Sequence, residues 1–588
     1  MRTFKKYVNN LFFSFKKALD NGCTNVIKYL FFYVISSVVT FVFDVYYLAY
    51  VIKMLLEGAP WESVLMICIL GAVIIFVIII FGKYAEVQDL IYSMKIQECV
   101  ELEIYKKNLD FTLSECINKD FYDEFSFVLN NTPGQIINSV QIIGKIITSL
   151  FYSVFFIIEM FNQNVIIILP ISLLLIFHIF IKKIISTKKS MITYNNSLKM
   201  QPLLRYNNYF TRLFYLKKYS YDLKNEKIYN IILEKYNEGT ENYIKEHMRV
   251  IKKETVMDIL NTIYDSIFMS LVVPIILIFS LKAVGIEDIS VYWQLNALVS
   301  KIASLYLFSM IADLVILSNH IQKMREFFSK KTEKVLDKKK LLLPPSVLIK
   351  NINFSYDEKM AFSLKNINMR IDKGEKIAIV GRNGSGKTTL LNLILGLYLP
   401  QKGAILFDDQ SIENYDLDGH SLCLMSQNFN LYSTSLKNNI NMGNFKYSEE
   451  EIQQAAHLAD CDDFIKKLPL GLDSTLGRDI YENAIELSGG ESQKIALARV
   501  FLSNANLIIM DEPTAAVESL SGVSTIKRIL DKFSDKTVIM VTHRLDITKF
   551  VDKIYVMDNG EIVESGSFQE LLSKKTMFYD MYKYQLGE

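Results

Sequence analysis

Residues 64 to 81 contain no charged side chain, and this stretch narrows the fold more than any other feature of the chain. A core helix of a water-soluble protein keeps one polar face, whereas this stretch is apolar all round. A bilayer's hydrocarbon core is about 30 Å thick and takes roughly 20 apolar residues to cross as a helix. The N-terminal half holds six strong apolar segments, at 27–50, 64–81, 136–161, 165–181, 267–284 and 289–317. Their lengths predict six membrane-spanning helices.

Charge sets the orientation. Arg2, Lys5, Lys6, Lys16, Lys17 and Lys28 surround the start of the first segment. Lys83 follows the second, Lys182 and Lys183 follow the fourth, and Arg249, Lys252 and Lys253 precede the fifth. The opposite loops are short and carry Glu57, Glu62, Glu287 and Asp288. The positive-inside rule then predicts a multi-pass protein of the plasma membrane with both termini in the cytosol. No cleavable signal is expected, because residues 11–15 are too short for a signal core. Phe4, Val8, Leu11, Phe12, Phe15 and Leu19 recur at helical spacing between lysines, which predicts a helix lying on the inner leaflet. A solvated amphipathic helix carries the same pattern.

The two long inner loops, 82–135 and 182–255, are poor in Gly and Pro and too long to be structureless. They are expected to carry the membrane helices on into the cytosol. Past 317 the chain turns basic, with Lys330, Lys331, Lys334, Lys338, Lys339 and Lys340, and then reaches Pro344-Pro345. The expected organisation is a membrane domain over 1–325, a linker over 326–346 and a soluble domain over 347–588. The net charge of +2, from 65 basic and 63 acidic residues, advertises no nucleic-acid partner. The six cysteines form no C-x-x-C pair, which argues against a disulfide framework or a zinc ribbon.

The C-terminal half carries the chemistry. An apolar strand over 376–380 runs into Gly381-Arg382-Asn383-Gly384-Ser385-Gly386-Lys387-Thr388, a complete G-x-x-x-x-G-K-[ST], with Thr389 next and a helix expected over 390–397. Glycines let backbone N–H groups curl round phosphate oxygens, and the helix start aims its positive dipole end at them. Lys387 would reach the outer phosphates, and the Thr388 hydroxyl would bind Mg²⁺. Further on, the apolar run 507–510 ends in Asp511-Glu512. One acid can hold Mg²⁺ and the next can polarise an attacking water. Between them, Leu487-Ser488-Gly489-Gly490-Glu491-Ser492-Gln493 precedes a helical stretch, a second anion-binding helix start.

Together these motifs resemble the ATP-binding cassette, with 487–493 similar to its signature motif. The resemblance covers the C-terminal half. With six spans ahead of it, the chain resembles an exporter-type half-transporter. The implied fold is a six-helix transmembrane domain followed by an α/β P-loop cassette. The resemblance implies that Tyr356 stacks on adenine, and that the 381–389 loop holds the triphosphate of ATP. Thr388, Gln427 and Asp511 would hold Mg²⁺, Glu512 would be the general base, and His543 would contact the γ-phosphate. Ser488 and Gly490, flanked by Gly489 and Glu491, would touch ATP bound to a second subunit, so the family pattern implies a dimer. An intact Glu512 favours a homodimer over a heterodimer with a second half-transporter. The chain departs from the pattern at Glu491, where many members have Gln, and at Glu518, where Asp is usual. Residues 477–486 resemble the version in peptide and lantibiotic exporters of Gram-positive bacteria. Residues 119–123 and 216–224 stand where coupling helices would be.

The function expected is ATP-driven export, with a peptide as cargo. A lipid flippase or multidrug exporter is the alternative, and an importer or ATP-gated channel is further off. With the first apolar segment beginning at residue 27, no peptidase domain is expected ahead of it. Charged groups inside a membrane are costly and mark candidate pathway positions. Lys301 stands about 18 Å along the sixth segment, by helix rise. Asp44 lies in the first segment and Lys145 in the third, with Asp265 and Asp313 nearer the cytosolic ends. Lys301 and Asp44 either pair or face the cavity, where Asn296, Ser300 and Tyr306 would join them.

Overall fold

The computed structural model describes residues 2–111, 115–116, 118–161, 165–225, 228–285, 289–303, 307–330, 339–356, 363–417, 421–478, 480–514 and 519–586. Glu518 and Tyr306, singled out above, lie outside them, as do Asp479, Lys331, Lys334, Lys338, Glu287 and Asp288. The chain divides into two compact units, one of Met1–Phe111 and Glu115–Thr332, the other chiefly Glu333–Glu588.

The first unit is helical. Its elements are α1 (Arg2–Val42), α2 (Leu48–Leu56), α3 (Trp61–Asn108), α4 (Lys119–Phe161), α5 (Val165–Tyr215), α6 (Lys217–Asn225), α7 (Ile228–Ile267), α8 (Val273–Val284), α9 (Ile289–Ala303) and α10 (Leu307–Ser329). Short π-helical turns, Phe43–Tyr47 and Phe268–Val272, join α1 to α2 and α7 to α8. Among the described residues, five helical stretches are long and apolar enough to cross a membrane: Lys5–Leu56, Trp61–Asn108, Lys119–Glu159, Leu169–Tyr215 and Ile228–Val284. The sixth expected segment falls on α9 and α10, with residues 304–306 outside the described set.

The described residues of both long loops are largely helical. The 51 residues of α5 reach about 75 Å, well over twice a bilayer core. Along the polar part of α3, Tyr92, Ile96, Val100 and Ile104 recur every fourth residue and are all fully buried. That stripe seats a cluster with Phe111, Phe121, Phe127, Leu317, Ile321 and Phe327. Ion pairs link helices of this unit: Lys17 to Glu103, Lys182 to Asp265, Lys189 to Asp258 at 2.5 Å, and Arg205 to Asp123 at 2.7 Å. The N-terminal segment packs one of its faces on this cluster. Leu11 is buried, and Phe15 and Leu19 pack on the same cluster, leaving Phe12 exposed. Gly22 leaves helical geometry (φ −148°, ψ 27°) and kinks α1 between this segment and the apolar one.

The second unit is built on a six-stranded sheet. In chain order its strands and those of a smaller sheet are β1 (Val347–Phe354), β2 (Leu364–Ile371), β3 (Lys376–Gly381), β4 (Lys402–Phe407), β5 (Gln410–Ser411), β6 (Leu422–Met425), β7 (Leu507–Asp511), β8 (Thr537–Val541), β9 (Lys553–Asp558) and β10 (Glu561–Gly566). The large sheet runs β10-β9-β3-β8-β7-β6, all parallel except the β10 edge. The small antiparallel sheet runs β2-β1-β4-β5. Every residue of β7 and β8 is buried, as befits parallel strands covered on both faces. Alternation sorts them: Ile508, Met510, Val538 and Met540 face a helical layer, while Leu507, Ile509, Ile539 and Val541 face the small sheet. The helices used below are α11 (Lys387–Ile394), α12 (Glu449–Leu458), α13 (Gly489–Leu502) and a C-terminal helix, Met577–Leu586.

Part of the expected linker belongs to this unit. Lys339–Lys340 pairs in parallel with Tyr415–Asp416, and Leu341 is buried. Burying this apolar side chain just past the basic stretch stabilises the attachment. On α13, Phe501 is fully buried between the helix and the sheet. Phe501→Ala should cost about 3–5 kcal/mol. In calorimetry that lowers the unfolding transition of the C-terminal unit by roughly 6–20 °C.

Candidate nucleotide site

The register of the central strands builds the site. Val541 pairs with both Ile379 and Asp511, so β8 and β7 end level with each other while β3 runs two residues further, to Gly381. The ladder continues one residue past each end: Thr542 N–H donates to Ile379 C=O at 3.2 Å and Glu512 N–H to Val541 C=O at 2.9 Å. Ligands of open α/β sheets bind at the carboxyl ends of the strands, and three of the sequence motifs leave from this edge.

After β3 the chain enters the glycine-rich loop. Gly381 has φ +154°, and an added Cβ would lie 2.2 Å from Met557 O, a backbone atom. Only glycine fits there. The following helix, α11, begins at Lys387, three residues before the expected start, and ends at Ile394. Lys387 is buried and donates from Nζ to Gly381 O at 2.8 Å and Arg382 O at 2.9 Å. Burial pushes its ammonium below the usual lysine range. Ser385 Oγ is buried without a hydrogen-bond partner among the described residues. Tyr356 is 54% exposed. Its hydroxyl donates to Thr389 Oγ1 at 3.3 Å, so the aromatic ring lies next to the loop.

The two carboxylates at the end of β7 differ sharply. Asp511 is 5% exposed, and Thr388 Oγ1 donates to its Oδ2 at 3.3 Å. Its Oδ1 has no partner among the described residues. Burial, and then the neighbouring Glu512, raise this carboxyl above the ordinary aspartate range. Glu512 has φ +54°, a left-handed conformation rare outside glycine and found at strained functional positions. The turn directs its carboxylate to a junction: Gln427 Nε2 donates to Oε2 at 2.7 Å and His543 Nε2 lies 2.9 Å from the same oxygen. Gln427 thus meets Glu512, where the family pattern assigned it to Mg²⁺.

Ser488 caps α13 in a capping box. Its Oγ accepts the Glu491 N–H at 3.3 Å, while its own N–H donates to Glu491 Oε2 at 2.7 Å. The departure at Glu491 therefore has a structural role, because a carboxylate closes this box well. Gly489 and Gly490 form the first turn of α13. One residue escaped the sequence reading. Gln493 is buried, and its Nε2 donates to Glu512 O at 3.4 Å and Pro513 O at 2.8 Å, bracing the strained turn. A glutamine one turn into a helix carries no sequence signal for that contact.

Comparison with known proteins agrees with this geometry. The family model described as ABC transporter matches residues 364–515. The C-terminal unit is an ATP-binding cassette. Proteins of Staphylococcus aureus strains COL and bovine RF122, named for multidrug export as ATP-binding/permease proteins, are each 39% identical to the chain over 241 residues. That match spans 40% of this chain and 41% of the length of these relatives. The solved structure of a bacterial Atm1-family ABC exporter with ATP bound superposes with a TM-score of 0.78 at 19% identity, covering 96% of this chain and 99% of that one. The chain therefore has the fold of that exporter, a helical membrane part and an ABC cassette.

The raised Asp511 carboxyl gives a stability prediction. A folded-state pKa above the unfolded one costs stability as pH rises through that interval, and nothing below the unfolded pKa. In Mg²⁺-free buffer at pH 7, Asp511→Asn should melt at or above the wild-type temperature. The difference should vanish below about pH 4, where the carboxyl is protonated in both states. Gly381→Ala should weaken ATP binding at least about tenfold by equilibrium dialysis, because the loop must shift to admit a Cβ.

Proposed function

We propose that the chain is one half of an ATP-driven exporter that hydrolyses ATP at a dimer interface and moves a substrate, a peptide or a small molecule, out of the cell. The observation that carries the reading is Glu512, held in a left-handed turn with its carboxylate joined to Gln427 and His543. In this reading Glu512 takes a proton from the attacking water, and His543 orients that carboxylate and meets the γ-phosphate. Lys387 and the N–H groups of residues 382–386 bind phosphate oxygens, and Tyr356 stacks on the base. The residues fit Mg²⁺: Asp511 has a buried unpaired oxygen beside the Thr388 hydroxyl, and Gln427 is within reach of the same strand end through Glu512. When bound, Mg²⁺ neutralises charge on the phosphate oxygens. Among the described residues no group of three or more His, Cys, Asp or Glu could hold a metal, so phosphate and water would complete its shell.

The chain contains one glycine-rich loop and one signature. Ser488 and Gly490 would serve ATP on a second copy, which makes the working form a dimer. An intact Glu512 supports a homodimer. We place the protein in the plasma membrane with both termini cytosolic, α9 and α10 together forming the sixth crossing. The sequence of residues 477–486 favours a peptide cargo. The naming of the S. aureus relatives for multidrug export favours hydrophobic small molecules instead. ATPase assays in nanodiscs with peptides, lipids and dyes separate the two. Glu512→Gln should retain ATP binding and lose at least about 100-fold in kcat; an active variant sinks the assignment.

Inside the membrane unit, Lys301 and Asp44 form an ion pair, with Asp44 on the π-helical turn Phe43–Tyr47. Such turns often mark functional positions. Nearby, the Tyr46 hydroxyl bonds to Glu159. A cavity of about 580 Å³ lined by Phe43, Tyr46, Tyr47, Tyr50 and Gln294 opens beside this turn. Removing one partner leaves the other charge uncompensated in a poor solvent. Lys301→Ala should lower substrate-stimulated ATPase several-fold, and the exchanged pair Asp44→Lys/Lys301→Asp should recover part of it. An unchanged Lys301→Ala would remove the pair from the transport path.

A further inference from the structure

The C-terminal helix Met577–Leu586 has no place in the reading so far, yet it reaches the loop that carries His543. Gln585 spends both ends of its side-chain amide there. Its Nε2 donates to the His543 carbonyl, and its Oε1 accepts the Leu545 N–H at 2.8 Å. Only Arg544 separates the two backbone groups it holds. From the strand side, Thr542 Oγ1 accepts the Arg544 N–H at 3.0 Å, and the Arg544 guanidinium bonds to Asp546 at 2.7 Å. The loop is thus held by β8 at one end and by Gln585 beside the histidine.

The helix bearing Gln585 is firmly seated. Phe578 is fully buried, and Met577, Met581 and Tyr582 pack on the cassette core. Glu564 accepts the N–H of Met577 at 2.6 Å and of Phe578 at 3.4 Å. The clamp therefore transmits the position of the core to the loop. It matters because the His543 side chain is 45% exposed, so packing does not box the ring in. Its 2.9 Å contact with Glu512 depends on where its backbone is placed. The same helix forms one wall of a cavity of about 860 Å³ whose other side includes Arg382, Asn383 and His543.

We infer that Gln585 is a positioning residue for ATP hydrolysis: its amide locks the His543–Leu545 backbone so that the imidazole stays on Glu512. The inference rests on the hydrolytic reading of Glu512 and His543. The role needs a donor and an acceptor on one short side chain, and an amide supplies both. Methionine is close in size and supplies neither.

The test uses full-length protein in nanodiscs, comparing wild type, Gln585→Met, Gln585→Ala and Glu512→Gln. Both Gln585 variants should lower kcat about three- to tenfold, the scale of losing one or two modest hydrogen bonds. KM for ATP should stay within about twofold, since no ground-state contact to nucleotide is removed. The unfolding midpoint of the cassette should not move, because Gln585 is exposed. Wild-type kcat in both variants overturns the clamp, and so does a loss that tracks a fall in midpoint or a rise in KM. If wild type hydrolyses no more ATP than Glu512→Gln, the hydrolytic reading itself fails. If wild type is active and the Gln585 variants match it, only the clamp fails.

Discussion

Parallel register among three strands is the constraint on which the nucleotide site depends. β3, β8 and β7 run the same way in fixed register, with Val541 opposite Ile379 on one side and Asp511 on the other, and β3 continues two residues to Gly381. Parallel strands deliver their carboxyl ends to one edge, so loops far apart in the chain emerge together. The glycine-rich loop, the acidic pair and the His543 loop are neighbours for this reason. The ladder continues past the strand ends through Thr542 and Glu512. That extension reaches into the chemistry, because the bond to Val541 O ties down the residue with φ +54°. Burial on both faces makes the register hard to slip, since a shift by one residue would exchange the side chains of two separate cores.

Around that edge the structure spends buried polar groups sparingly. Each acid is treated differently. Asp511 is sealed in and keeps an unpaired oxygen, which a cation would relieve. Glu512 is held open to Gln427 and His543 and braced from behind by Gln493. Adjacent residues on a strand end point opposite ways, and the left-handed turn at Glu512 modifies that alternation enough to bring both into one site.

The membrane unit follows a different economy. Its spans carry few charged groups, and several of them meet a partner: Lys301 with Asp44, Lys145 with Asp313 at 3.3 Å, and Glu159 with Tyr46. Beyond the apolar windows the same helices change their packing, from all-round apolar surface to a four-residue stripe such as Tyr92, Ile96, Val100 and Ile104. A continuous helix thus serves two solvents. Apolar residues on every face suit lipid, and a narrower stripe suits a bundle in water.

The site's chemistry was legible in local strings. Gly381 to Thr388, Asp511-Glu512 and Ser488 to Gln493 each declare a function through residue type and spacing, because phosphate binding needs glycine backbone, a helix start and a lysine close together in sequence. The long apolar runs were equally plain, since a span is a property of consecutive residues. Other features were not local. The N-terminal amphipathic segment shows its apolar face in sequence, but that this face meets Phe121, Phe327 and their neighbours appears only in the fold. The pairing of Lys301 with Asp44 comes from two helices meeting, which no spacing encodes. Gln493 and Gln585 look like ordinary polar helix residues until folding sets one against the turn after β7 and the other against the His543 loop. What the sequence determined by itself was the set of parts whose function lies in near neighbours along the chain. Which oxygen each part faces was decided only by the tertiary structure, because hydrogen bonds and ion pairs act over about 3 Å in space whatever the separation in sequence.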